Sequence, residues 1–254
     1  MTTVPAGDAP RDQTTLVVDA LRATMHRQQL RPGDRLGDER SLAAELGVTR
    51  SRLRDALDVL QREGRVRRRL GRGGGVFASD GRIERNLNTI EGLPDITRVQ
   101  GVRLVTTVLR AELEPAGPLD RRLLRLAAGA TVYHVQRLRR TDGGAGLSLE
   151  DTRVPASVFP GLDAQDLTQL YRCFREVYGV VPDVSDESVE VAYATPGQAG
   201  HLGVATGAAL VRLSRLTLDD QQRPVEIGTE LFVADRMRFH LRRYGVVGDP
   251  HRDR

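Results

Sequence analysis

The sequence predicts an α+β chain of two units, an N-terminal winged helix-turn-helix followed by a larger unit of mainly antiparallel sheet with helices. Three observations predict it. Apolar residues recur at helical spacing up to about residue 64, and strand-like alternation dominates from about residue 103 onward. Turn residues, Arg31-Pro-Gly-Asp34, Gly47, Gly64 and Gly71–Gly75, fall at the joints between the early segments. Positive charge is an island: Arg50 to Arg72 holds nine arginines against three acids, whereas residues 81–254 hold 23 basic and 23 acidic residues.

At 254 residues and a formal net charge of +4, the chain is long enough to bury two modest cores. Every basic residue is arginine, a planar fork suited to phosphates and guanine edges. No apolar run approaches the ~18 residues that cross a bilayer, and Met1–Asp12 lacks the pattern of a secretory signal. The single cysteine, Cys173, has apolar helical neighbours and fits a buried thiol in a reducing cytoplasm. His26, His134, His201, His240 and His251 show no metal-ligand spacing, and no nucleophile elbow is present. The expectation is a cytoplasmic protein with no membrane segment, metal, cofactor or catalytic residues.

Domain bounds follow from these shifts: residues 12–79 for the winged helix, 80–96 for a polar linker, and 97–246 for the larger unit. In the first, Leu16, Val17, Ala20, Leu21, Thr24 and Met25 predict a helix over Thr14–Gln29. Asp38 is placed to cap a second helix, Glu39–Leu46, which Gly47 ends. Thr49 caps a third, in which Leu53, Ala56, Leu57 and Leu60 follow an i, i+3, i+4, i+7 pattern. That pattern leaves Arg50, Ser51 and Arg54 together on the exposed N-terminal turn, the end by which a recognition helix enters the major groove. Val66, Arg68 and Leu70 alternate, Gly71–Gly75 turns, and Val76-Phe-Ala78 returns, a β-wing with Arg72 at its tip. A phosphate-binding loop is excluded there because no Lys-Ser/Thr ending and no helix follow. Arg50 and Arg54 are the candidate base readers; Arg40, Arg52 and Arg72 suit backbone or minor-groove contact.

Alternation in the second unit predicts strands at 103–113, 131–139, 147–153, 189–193, 210–218 and 225–233. Asp166–Tyr178 is its clearest helix, with Leu167, Leu170, Tyr171, Phe174, Val177 and Tyr178 as the buried face. Short helices precede Gly129 and Gly207, and turns at Asp142-Gly-Gly144 and Asp219-Asp220 imply antiparallel hairpins. A short internal similarity at an offset of 78 residues, Leu124–Ala130 against Leu202–Ala208, suggests a pseudo-twofold unit. Arg137 and Arg139 share one strand face and could hold a carboxylate or phosphate. Glu150 and Glu226, on the expected partner strands, could equally neutralise them in a cross-strand ion network. The residues alone leave both readings open.

The motifs Leu30-Arg-Pro-Gly-Asp-Arg-Leu36, Glu39-Arg40, Leu46-Gly-Val-Thr-Arg50, Leu53-Arg-Asp-Ala-Leu57 and Glu63-Gly64 resemble the gluconate-repressor (GntR) family winged helix over residues 14–78. The resemblance implies DNA contact by Arg40, Arg50, Ser51 and Arg54, with Gly73 at the minor groove. Glu39, Thr49, Arg52 and Arg72 complete the candidate surface. Gly37-Asp38 stands where the family usually has Pro-Ser, and Arg52 replaces a common small residue or proline. Arg137-Leu-Arg139, Leu149-Glu150, Phe159-Pro-Gly161, Pro224-Val-Glu226 and Asp235-Arg236 resemble the chorismate-lyase-like (UTRA) effector domain of the HutC branch over residues 96–244. This implies effector contacts from Arg137, Arg139, Glu150, Tyr171, Glu226 and Phe232, with Phe232 in place of a frequent tyrosine and Gln169 in place of a small hydroxyl residue. The expected partners are operator DNA, a small effector and a second copy of the chain. A ligand-independent DNA-binding protein of plasmid or architectural type is the alternative, and a lyase-like enzyme a more remote one.

Overall fold

The computed structural model describes residues 13–69, 71 and 73–243. The described chain divides into two units. The first takes residues up to Arg82 together with Arg98–Val102, and the second takes Ile83–Thr97 and the chain from Arg103.

The first unit runs α1 (Gln13–Arg27), β1 (Arg35–Gly37), α2 (Glu39–Glu45), α3 (Arg50–Arg62), β2 (Val66–Arg69) and β3 (Gly75–Ala78), with the strands in the order β1-β3-β2. Both expected caps form. The Asp38 carboxylate accepts from the Ser41 amide at 2.9 Å, and the Thr49 hydroxyl accepts from the Arg52 amide at 3.3 Å. Each satisfies an amide the helix cannot, worth about 1 kcal/mol. Leu53, Ala56, Leu57 and Leu60 are fully buried against Leu21, Leu42, Val66 and Val76. In α1 the buried stripe is Val17, Val18 and Leu21, while Leu16 is exposed, so the apolar face is rotated from the expected one. The helix also ends earlier than expected, because Gln29 takes a left-handed φ of 49°. Residues 98–102 are stitched to the hairpin of the same unit. Gln61 Nε2 donates to the Gly101 carbonyl at 3.2 Å, and Arg67 donates to Gln100. Gly101 has φ +69°, and a Cβ there would stand 2.8 Å from the Arg68 carbonyl oxygen, so the close approach requires glycine.

The second unit adds β4 (Ile83–Asn86) and α4 (Leu93–Val99), within which the chain passes back to the first unit. There follow β5 (Leu104–Pro115), α5 (Pro118–Leu123), β6 (Thr131–Thr141), β7 (Gly146–Pro155), α6 (Leu170–Tyr178) and β8 (Pro182–Tyr193). Then come α7 (Pro196–Leu202), β9 (Ala209–Asp219), β10 (Pro224–Val233) and β11 (Met237–His240). Six antiparallel strands form one sheet in the order β5-β6-β7-β10-β9-β8. The successions β5-α5-β6-β7 and β8-α7-β9-β10 are alike, and they meet at β7 and β10. There Asp151 pairs with Thr229, its own counterpart at the offset of 78 residues, so a pseudo-twofold axis passes through that pair.

One sheet face packs on α6, where Phe159 and Phe174 stack at 4.0 Å amid Tyr133, Val135 and Val154. The other face buries Leu138, Leu210 and Leu231 against Leu202 of α7. The helix expected from Asp166 starts as a 3-10 turn, Leu167–Gln169, and Val177 is exposed rather than buried. Strand β8 begins seven residues before the expected Val189, because its first half, with Asp183, Ser185 and Asp186, is a solvated edge without apolar alternation. Residues 80–96, polar in composition, hold β4 and the start of α4. Strand β4 pairs in parallel with β11, from Ile83↔Met237 to Asn86↔His240, and Ile83, Arg85, Leu93 and Ile96 are buried.

Candidate functional site

The first unit presents one cluster of donors. The cap at Thr49 fixes the start of α3, and burial of Leu53 and Leu57 turns the opposite face outward, so Arg50, Ser51, Arg52 and Arg54 are all exposed. Arg40 of α2 is exposed as well, and Glu39 between them is half-buried. The Arg54 Nε donates to the Glu39 carboxylate at 2.7 Å, which ties α2 to α3 and orients the Arg54 fork. Gly73 is exposed with φ +82° at the hairpin turn; Arg72 lies outside the described residues. This arrangement is a capped helix end crowded with guanidinia, in a unit whose hairpin turns on glycine, the shape and charge that fit a DNA groove and its phosphates.

The second unit buries four of its arginines, Arg85, Arg137, Arg139 and Arg215. Alternation on β6 places Arg137 and Arg139 on the α6 side of the sheet, and β7 and β10 place Glu150, Glu226 and Glu230 there. Glu150 accepts from Arg139 at 2.8 Å and also from Arg137 and Arg215. Glu230 accepts from Arg139 at 2.7 Å and from the Ser148 hydroxyl at 2.6 Å. Glu226 accepts from Arg215 at 2.8 Å, from Tyr171 at 2.6 Å and from Thr217 at 3.0 Å. Arg137 further donates to the Leu167 carbonyl at 2.8 Å. Burial would push the Glu150 carboxyl up, but the guanidinia of Arg137, Arg139 and Arg215 outweigh it and hold it well below the usual carboxylate range. Glu226 is lowered for the same reason, Arg215 overcoming burial. Burial raises the Tyr171 phenol, which therefore donates to Glu226.

These groups surround a cavity of about 30 Å³ lined by Arg85, Arg137, Arg139, Glu150, Tyr171, Arg215 and Glu230 among others, with Glu91–Asp95 as a further wall. Of the sequence-expected effector residues, Arg137, Arg139, Glu150 and Tyr171 line it. Glu226 and Phe232 stand behind the lining, Glu226 bonded to Tyr171 and Arg215, and Phe232 edge-on to Phe239 at 5.4 Å. Arg85, Arg215 and Glu230 escaped the sequence reading. Arg215 was signalled by the internal similarity, since it is the counterpart of Arg137; nothing signalled Arg85, which lies in the stretch taken for linker. The cross-strand ion network and the cavity thus coexist on the same residues.

The family model for the UTRA domain matches residues 99–238, and that for bacterial regulatory proteins of the gntR family matches residues 13–76. The chain belongs to the GntR family of regulators with a UTRA domain. This GntR-family protein is 28% identical over 219 residues to an HTH-type transcriptional regulator of Mycobacterium tuberculosis, covering 84% of this chain and 79% of that one. It is 27% identical over 227 residues to the mannosyl-D-glycerate transport/metabolism system repressor of Escherichia coli, covering 89% and 93%. Its fold is that of PhnF from Mycobacterium smegmatis, with a TM-score of 0.64 at 24% identity, covering 91% of this chain and 100% of the other. As a member of this family the chain is a DNA-binding transcription regulator under effector control, and not an enzyme.

Proposed function

We propose that this GntR-family regulator is a cytoplasmic, homodimeric repressor whose hold on its operator is set by a small anionic effector in the arginine-lined cavity. Arg50 and Arg54 read base edges; Arg40, Arg52 and Arg72 grip the backbone, with Gly73 at the minor groove. Glu39 holds the Arg54 fork in aim, while Thr49 and Ser51 add hydroxyls at the same helix end. Two such heads in a dimer suit a pseudo-palindromic site. The repressor name of the Escherichia coli relative supports repression, and no described helix is long and apolar enough to cross a membrane.

The observation that carries the effector reading is the set of donors around the cavity. Arg85, Arg137, Arg139 and Arg215 line it, and although Glu150, Glu187, Glu226 and Glu230 pair with them, the Nε groups of Arg85, Arg137 and Arg139 have no hydrogen-bond partner among the described residues. An anionic group on the effector supplies acceptors for them. A cavity of about 30 Å³ has room for little more than water, so the effector enters by parting a wall; Glu91–Asp95 and Gln169–Arg172 are the lining segments outside the strands, and we take the first as the wall that parts. That wall leads through α4 to Gln100 and Gly101, which bond Arg67 of β2 and Gln61 in the last turn of the recognition helix. Filling the cavity therefore pulls on the DNA-reading unit through the chain itself.

Binding of operator and effector must be coupled by the same factor in both directions. Titration of anionic metabolites into the protein, free and operator-bound, is expected to show effector affinity weakened by DNA as much as operator affinity is weakened by effector. Equal effector affinity in both samples would remove the induction mechanism. The competing reading, a ligand-independent DNA-binding protein with a purely structural ion network, is favoured by how many of the cavity's carboxylates are already paired. A metabolite library that raises the melting temperature at no concentration would decide for it.

A further inference from the structure

One guanidinium of the cavity comes from a segment outside the six-stranded sheet. Arg85 lies on β4, three residues past Arg82, where the first unit gives way to the second. Among the described residues, strand β4 pairs only with the short β11. The Arg85 side chain is 6% exposed, yet its contacts are long: Nη2 lies 3.3 Å from Glu187, Nη1 lies 4.0 Å from Glu230, and the guanidinium sits 6.0 Å over the Phe232 ring. Arg137 and Arg139 are clamped more firmly, by Glu150, Glu230 and the Leu167 carbonyl.

The Nε donors of Arg85, Arg137 and Arg139 have no hydrogen-bond partner among the described residues, and all three side chains line the same cavity. A buried N–H without an acceptor is unfavourable, and three around one small space define a place for a group rich in lone pairs. An oxyanion can accept from several guanidinium N–H groups at once.

We propose that Arg85 binds the anionic group of the effector directly, and that it is the residue through which occupancy of the cavity acts on the segment following the DNA-reading unit. This rests on the reading of the cavity as an anionic-effector site. An oxyanion at the three Nε groups competes with Glu187 and Glu230 for Arg85. Of the three arginines, Arg85 has the loosest partners and the least anchored strand, so it is the one that moves. A ligand shifts a conformational equilibrium only by contacts that differ between the two states, and Arg85 supplies such a contact on the one cavity strand contiguous with Arg82.

The test uses the full-length chain and inorganic phosphate as probe at constant ionic strength. Calorimetric titration should show saturable binding to the parent protein and a loss of about ten-fold or more in Arg85→Gln, the value of one charge-assisted hydrogen bond. Hydrogen exchange at residues 83–86 should change with phosphate in the parent and not in Arg85→Gln, a difference that a merely structural role for Arg85 does not produce. Phosphate affinity in Arg85→Gln equal to that of the parent overturns the proposal, as does an unaltered response of residues 83–86. Should Arg85→Gln fail to fold, Arg85→Lys decides: charge without Nε must still weaken phosphate binding, and parent-like affinity overturns the proposal. Binding abolished by Arg139→Gln but untouched in Arg85→Gln sinks the role of Arg85 while sparing the effector site. Phosphate binding to none of these proteins sinks both.

Discussion

Both units build their candidate sites from arginine, and the two sites keep it in opposite states. Arg40, Arg50, Arg52 and Arg54 stand exposed on two short helices, whereas Arg85, Arg137, Arg139 and Arg215 are buried and each lies within ion-pair distance of a carboxylate. An exposed guanidinium needs no partner from its own chain. It acts across solvent on phosphates and is screened by salt. A buried one exists only because partners were built around it, and removing a partner leaves a charge with no water to turn to. The same side chain thus serves affinity in one unit and geometry in the other, which is why net charge describes this protein poorly.

Acid should set the two units furthest apart. Glu150 and Glu226 titrate below their ordinary range in the folded chain, so between that range and their folded values the unfolded chain binds more protons. Their contribution is complete above about pH 4.5 and falls away as pH drops through the folded values. Hydrogen exchange in β6, β7 and β10 is expected to accelerate on acidification before that of α3; the reverse order would contradict the assignment. Next in size is a comparison of two ion pairs. Glu150→Ala strands three buried guanidinia and should cost ~3–5 kcal/mol in urea denaturation, while Glu39→Ala, at an exposed pair, should cost less than ~1 kcal/mol. Similar midpoints for the two variants would erase the distinction drawn between the units. The smallest effect on stability lies on the recognition helix. Arg54→Ala should leave the fold intact and remove ~1–3 kcal/mol of operator discrimination. Arg52→Ala should instead lower the salt dependence of binding by about one phosphate's worth. Fluorescence anisotropy with matched and mismatched duplexes over a salt series separates them, and retained selectivity in the Arg54 variant would move base reading elsewhere.

The first unit was legible because its signals are local. Asp38, Thr49, Gly47 and Gly64 each act within one helical turn, and the stripe from Leu53 to Leu60 is set by a single period. What failed there was a matter of rotation: Leu16 and Val18 are equally apolar, and only tertiary packing chooses between them. In the second unit the strands buried on alternate faces announced themselves, and the exposed edge β8 did not. Arg137, Arg139 and Glu150 were found through alternation and resemblance. Arg85 and Glu230 were not: Arg85 meets Glu187 and Glu230 more than a hundred residues on, and Glu230 takes its hydrogen bonds from Ser148 and Arg139, 82 and 91 residues back. A covered strand of Ile-Glu-Arg-Asn, Ile83–Asn86, looks like linker until β11 is laid beside it.

The pseudo-twofold axis has a consequence for what the cavity can distinguish. Two identical halves would offer a visitor the same grip from either end. Here Arg137 has its equal in Arg215, but Arg139 is matched by Thr217, Ser148 by Glu226, Thr152 by Glu230 and Glu150 by Gly228. The last exchange is structural as well as chemical. A Cβ on Gly228 would lie 2.9 Å from the Arg215 guanidinium carbon, so the missing side chain is what lets Arg215 cross β10 and reach Glu150. Departure from the duplicated pattern has made the two ends of the chamber unequal. A molecule whose own ends differ in charge would then fit it one way round and not the other.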